Sequence, residues 1–159
     1  MQLQLFRRWA EENPEDFWKE TALKRGGEIT FFTFATLVGR SGGALLNFPG
    51  LLYKSGETFW FEDFERDNWL AKILSSRRKY EKTEMFFAAG EVQFVRLVSR
   101  MSAARCIGGA VAPEKLAPVS FFARFFTTPV TQVGLKDGTS LFFEIMQRRE
   151  FAAQLTPAV

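Results

Sequence analysis

Two short turn signals, Ser55-Gly56 and Asp137-Gly138, constrain this chain more than any other feature. Tight turns of this kind join antiparallel strands, because parallel neighbours need a crossover of a dozen or more residues. Residues 51–54 and 58–64 flank the first pair, and 130–135 and 140–146 flank the second, all rich in residues that suit a pleated sheet. The sheet is bracketed by helices. Asn13 is a good N-cap, Pro14 sits at the first helical position and Asp16 falls where a capping box wants an acid. Lys24 and Arg25 then occupy the last turn before Gly26. At the other end, Phe151 and Leu155 of "RREFAAQL" lie four apart, the buried side of a closing helix.

Between these anchors, "EITFFTFATLVG" reads as a strand from Glu28, and Gly39, Gly42 and Gly43 mark a turn. Pro49-Gly50 predicts a bend or strand break. "RDNWLAKILSSRRKYEK" carries a weaker helical pattern and "TEMFF" a strand. "EVQFVRLVSRMSAARCI" alternates as one long strand, with Val95 and Leu97 on one side and Arg96 and Val98 on the other. "GGAVAPEKLAP" is a loop, and "SFFARFFTTP" has the spacing of a helix. Near the start, "FRRWAEE" places Phe6 and Trp9 on one helical side.

The chain's 159 residues suit one domain that buries roughly 70% of its unfolded surface without a metal or disulfide. Nineteen Phe predict a core, or an interface, built from aromatic area. A net charge of +3 is too small for a dedicated nucleic-acid binder, so nucleic acid is not an expected partner. The absence of histidine removes Ser-His-Asp and Cys-His catalysis, and Cys106, the only cysteine, forms no internal disulfide. No phosphate-loop motif is present, so neither enzymatic activity nor a cofactor is expected. No run reaches the roughly 20 apolar residues of a membrane span, and no signal-peptide h-region is visible, which makes the cytoplasm, with its membrane face, the expected location.

Three groups are candidate sites. Glu62, Asp63, Glu65 and Asp67 form the densest carboxylate cluster, read as the polar end of a strand followed by a helix cap at Asp67, with a metal or protein-binding site, or a general acid–base pair, as the alternatives. Arg77, Arg78, Lys79, Lys82, Arg96, Arg100 and Arg105 are a candidate face for anions or lipid headgroups, against a solvated surface. Phe121, Phe122, Phe125 and Phe126 are either core, or an oligomer or partner interface, or an apolar wedge with Arg124 snorkelling. Cys106 reads as a small buried apolar residue.

"VGLKDGTSLFFEIMQRREFAAQL" resembles the last two strands and capping helix of bacterial pleckstrin-homology-like and GRAM-like domains, and "AGEVQFVRLVSR" is similar to their lead into a long strand. The resemblance implies a mainly β, α+β fold: a pleckstrin-homology-like antiparallel barrel or sandwich of about six or seven strands, whose C-terminal helix plugs one end. Residues 1–27 would be an N-terminal helical extension and 28–159 the barrel domain. Phosphoinositide-binding members carry clustered cations between the first two strands. Here "GRSGGALLNFPG" offers Arg40 alone, so a family-type inositol phosphate site is not expected there. The implied role is a non-catalytic protein-interaction or assembly module, partnered by another protein or by itself. A peripheral binder of anionic lipid headgroups and a carrier of an apolar ligand in a Phe-lined barrel are the alternatives.

Overall fold

The computed structural model describes residues 14–63 and 84–155. The expected features on Phe6, Trp9, Asn13 and the 66–82 segment lie outside them. Helix α1 (Pro14–Arg25) leads into β1 (Ile29–Arg40), β2 (Leu45–Ser55), β3 (Thr58–Asp63), β4 (Glu84–Ala88) and β5 (Val92–Ser99). Helix α2 (Arg100–Ile107) and two 3-10 turns precede β6 (Pro129–Leu135), β7 (Ser140–Ile145) and the short closing helix α3 (Arg148–Ala153). The expected N-terminal helix ends in a Schellman arrangement: Gly27 N–H donates to Ala22 O (3.1 Å) and Gly26 N–H to Leu23 O (3.3 Å).

All seven strands join one antiparallel sheet in the order β4-β3-β2-β1-β7-β6-β5. The two edge strands stand at opposite ends of that order, yet only the 3-10 turn Ala89–Glu91 separates them in the chain. The sheet must therefore curl until its edges approach at that corner, giving a half-barrel. Its concave face is aromatic. Phe59, Phe61, Phe87, Phe143 and Phe151 are buried together, and the Phe61 and Phe143 rings, from opposite halves of the sheet, lie 5.6 Å apart. Phe151 enters from α3 and packs edge-on against Phe59 at 5.2 Å. Lys54 Nζ donates to Gln154 O (3.2 Å), tying the exit of α3 to β2. The closing helix expected from Phe151 and Leu155 is thus in place.

Helices also pack on both halves of the convex face. Over the β5–β7 half, α2 and the loop after it build a second apolar cluster from Val98, Ala103, Cys106, Ile107, Leu116, Val130 and Phe142, joined by Val38 of β1. Over the β1–β4 half lies α1, whose Trp18 ring sits 4.5 Å from Phe32 and 6.0 Å from Tyr53. Cys106 is buried in the second cluster, as its small apolar character predicted.

Four expectations need correction. The strand read through 91–107 stops at Ser99, whose Oγ accepts from Ser102 N–H (3.1 Å) and starts α2; a cap outcompetes continued alternation. The alternation itself holds within β5, where Val98 faces the second cluster and Val95 the first. Pro49-Gly50 does not break β2. Pairing with β3 begins at Gly50, so Pro49 has a ladder partner, Thr36, on one side only and its missing N–H is tolerated. Gly50 is there for space, since a Cβ would stand 2.2 Å from Glu62 O.

The first hairpin turn is displaced by one residue, whereas the second falls at the expected 136–139. Ser55 pairs with Thr58, which makes Gly56-Glu57 the central residues of the first. The second is a three-residue loop, with Gly138 N–H donating to Leu135 O (3.0 Å) and Leu135 N–H to Thr139 O (2.8 Å); Gly138 takes a φ of 85°, which Gly alone adopts without strain. Finally, 121–126 is not a helix but a single 3-10 turn, Ala123–Phe125, flanked by loop.

Candidate docking surface

The 3-10 turn Ala123–Phe125 caps a long connection from α2 to β6 that is pinned to the sheet at several points. Leu116 and Val119 are buried, and Val119 N–H donates to Leu97 O (2.8 Å) on the β5 edge. Beneath it, the fully buried Gln132 donates from Nε2 to Pro113 O (3.0 Å) and to Ser140 Oγ (2.9 Å), and its Oε1 accepts from Arg96 Nε (2.7 Å). Arg96 Nη2 also donates to Pro113 O (2.6 Å). The turn is closed by its own side chains. Ser120 Oγ accepts from Ala123 N–H (3.3 Å), and Thr127 Oγ1 donates to Ala123 O (2.8 Å).

The result is a held loop that turns its aromatic residues outward. Phe121, Phe122, Phe125 and Phe126 are 67, 76, 72 and 88% exposed, which removes the core from the alternatives they presented. Phe121 packs edge-on against Phe122 (5.8 Å) and Phe125 (5.5 Å), so the rings touch one another. At about 150–200 Å² per Phe, the cluster presents roughly 450–600 Å² of apolar surface, the size of a functional patch on a monomer. The core reading failed because the anchoring lies elsewhere. Leu116, Val119 and Val130 take the buried places that the Phe spacing suggested for the aromatics.

The basic residues are spread over different surroundings. Arg77, Arg78, Lys79 and Lys82 lie outside the described residues. Arg96 is engaged with Gln132 and Pro113 and stacks on Phe94 at 4.6 Å. Arg100 pairs with Glu144 and donates to Asn47 Oδ1, and Arg105 is exposed on α2. Arg40, the lone cation of the β1–β2 turn, is exposed with Nη2 3.5 Å from Thr139 Oγ1.

Of the carboxylates, Glu65 and Asp67 are outside the described residues, whereas Glu62 and Asp63 face opposite sides of β3, Asp63 inward and buried. Glu62 belongs to a cluster that sequence reading missed. Arg25, at the end of α1, donates from Nε to Tyr53 Oη (2.8 Å), from Nη1 to Glu84 Oε1 (2.9 Å) and from Nη2 to Glu62. Tyr53 Oη donates to Glu62 Oε1 (2.6 Å), and the Arg25 guanidinium lies 3.8 Å over the Trp60 ring.

Burial works against the Arg25 charge, but its bonds to Glu84, Tyr53 and Glu62 outweigh it and hold the group above its ordinary value. Burial and the bond to Glu62 raise the Tyr53 phenol, and the Arg25 bond holds Glu84 below the usual carboxylate range. Chemically this is a clamp: it fixes α1 to β2, β3 and β4. No local pattern announces it, because its members come from four separate elements.

Two shallow clefts open at the seam between the sheet edges. One, of about 320 Å³, is lined by Thr58, Phe86, Phe87, Glu91, Leu135 and Asp137. The other, of about 210 Å³, lies between β5 and the end of α3, lined by Val92, Phe94, Val95, Ala152 and Leu155 among others. Burial, reinforced by Glu114, pushes the Cys106 thiol up, away from the thiolate form that reacts. Among the described residues, no three His, Cys, Asp or Glu side chains are grouped to hold a metal ion, and no helix is long and apolar enough to cross a membrane. No protein-family model matches the chain, and no curated protein does.

Proposed function

We propose that this protein is a non-catalytic docking module of pleckstrin-homology-like type, whose contact surface is the loop bearing Phe121, Phe122, Phe125 and Phe126. The fold part of this reading is supported by two meanders, β1–β4 and β5–β7, joined through the β1–β7 pair, and by a C-terminal helix whose Phe151 plugs the concave face. The observation that carries the function is the division of the Phe residues. One set fills the half-barrel, with Phe59, Phe61, Phe143 and Phe151 fully buried, and Phe142 is fully buried under α2, while four others are held outward on an anchored turn. A filled interior favours docking over carriage of an apolar ligand inside the barrel.

Burying roughly 450–600 Å² of apolar area releases about 11–15 kcal/mol before the cost of association is subtracted, enough for specific binding. The test is a matched pair of proteins, the wild-type chain and one in which all four Phe are replaced by Ser. Because the four side chains lie outside the core, both should unfold at the same urea midpoint. Only the wild type should associate saturably with its target, whether that target is another copy, a second protein or a vesicle. Equal binding by the two proteins, at equal stability, contradicts the proposal.

A further inference from the structure

The docking reading leaves the occupant open, and the surroundings of the four Phe narrow it. From Leu116 to Val130 the chain contains no acidic residue, and its one cation there is Arg124. Arg124 stands in the middle of the turn, between Phe122 and Phe125, and is exposed. The register fixes where the loop sits. Ser99 pairs with Pro129, and Thr131 with Phe143, so the loop leaves the sheet at the end where β7 finishes.

That same end carries Met101, in the first turn of α2, and Met146, just beyond β7, both exposed. Arg148 and Arg149 follow, exposed at the start of α3. In α2, β7 and α3 the acids are Glu144, which is paired with Arg100, and Glu150. At that end of the sheet Arg100, Arg124, Arg148 and Arg149 outnumber Glu144 and Glu150 among the described residues.

We propose, resting on the docking reading above, that the occupant is an anionic membrane surface. Phe121, Phe122, Phe125 and Phe126 enter the boundary between headgroups and acyl chains, and Arg124 remains at headgroup level. Convexity favours this occupant over a protein. Four adjacent rings, each at least two-thirds exposed, make a tip that a fluid interface closes around, whereas a protein partner must supply a matching hollow. Charge favours it as well, because long cationic stems extend along apolar surface while their heads stay with anionic lipid. The site differs from the β1–β2 turn, where Arg40 is the lone cation.

The experiment is co-sedimentation of the full chain with vesicles of phosphatidylcholine alone, or with phosphatidylserine added, alongside sedimentation equilibrium without vesicles. The wild type should sediment with the anionic vesicles. Each Phe→Ser change should lower the partition coefficient about tenfold, and the quadruple change at least about 100-fold. Arg124→Glu should weaken binding several-fold at low salt and less at high salt. A Phe122→Trp protein should shift its emission to the blue on adding anionic vesicles.

Wild-type protein that stays in solution with both vesicles overturns the lipid occupant, as does a quadruple variant that sediments like wild type. If, in the first case, the wild type is a dimer and the quadruple variant a monomer, the docking reading survives with a second copy as occupant. If the quadruple change alters neither vesicle binding nor self-association, the lipid proposal fails and the docking reading loses its two tested occupants.

Discussion

Replacing Phe151 with alanine tests whether α3 is a plug or an appendage. The side chain is fully buried, 5.2 Å from the Phe59 ring and 6.4 Å from Phe31, in the cluster that also holds Phe61 and Phe143. Those neighbours belong to hydrogen-bonded strands and cannot move inward without breaking register, so the space left by the ring persists as a cavity. Phe→Ala at such a site costs roughly 3–5 kcal/mol, a large share of the roughly 5–15 kcal/mol that holds a domain folded. In a chain of this size that lowers the melting temperature by roughly 6–20 °C.

Leu155, only partly buried against the same cluster, should cost less when truncated. Arg149, exposed on the outer side of α3, should change stability by no more than about 0.5 kcal/mol. Urea denaturation of Phe151→Ala, Leu155→Ala and Arg149→Ala measures the series directly. Equal, small losses for Phe151 and Arg149 would refute the plug, and would mean that the half-barrel is closed by something other than α3.

The Arg25 clamp has a signature in pH. Tyr53 titrates above its ordinary value of 10.0 in the folded chain, so its contribution is complete below about pH 10 and is lost as pH rises beyond it. Cys106, raised above 9.0, adds a similar loss, so the comparison is made in a Cys106→Ala background. There, Tyr53→Phe should flatten the fall in stability above pH 10, and an unchanged slope in alkaline urea titrations would contradict it. Glu84 works in the opposite direction, stabilising above about pH 4.5 and losing that contribution as pH falls; Glu84→Gln should reduce the acid-side slope. Gln132→Leu removes the acceptor of Arg96 Nε and the donor to Pro113 O and Ser140 Oγ, and should cost about 1–3 kcal/mol. Amide exchange at Val119 and its neighbours should quicken in that variant, and unchanged protection would show that the loop is held without Gln132.

What the sequence made legible is what local chemistry decides. The 14–25 helix was visible because Pro14 acts within its first turn and Lys24, Arg25 and Gly26 within its last. Both hairpins were visible from glycine-containing turns, although loop length, and hence the central residues, depended on register. The α2 helix was missed because Val95 to Val98 alternate so well that Ser99, a cap three residues before Ser102, reads as one more strand residue. The Phe turn was misread because an aromatic run has the same composition inside a core and on an anchored loop. The difference lies in Leu116, Val119 and Gln132, whose burial is a tertiary fact. The Arg25 clamp was illegible for the same reason: Tyr53, Glu62 and Glu84 meet it across three strands.

The division of Phe between a filled interior and an outward turn is the claim on which the functional account stands. Fluorine NMR on the chain labelled with fluorophenylalanine reads it directly, with resonances assigned by single Phe→Leu changes and a soluble gadolinium chelate as the probe. In dilute solution, the resonances of Phe121, Phe122, Phe125 and Phe126 should broaden, while those of Phe59, Phe61, Phe142, Phe143 and Phe151 remain sharp. Protection of the four loop resonances to the level of the interior set would contradict the account, because no outward apolar surface would remain to dock.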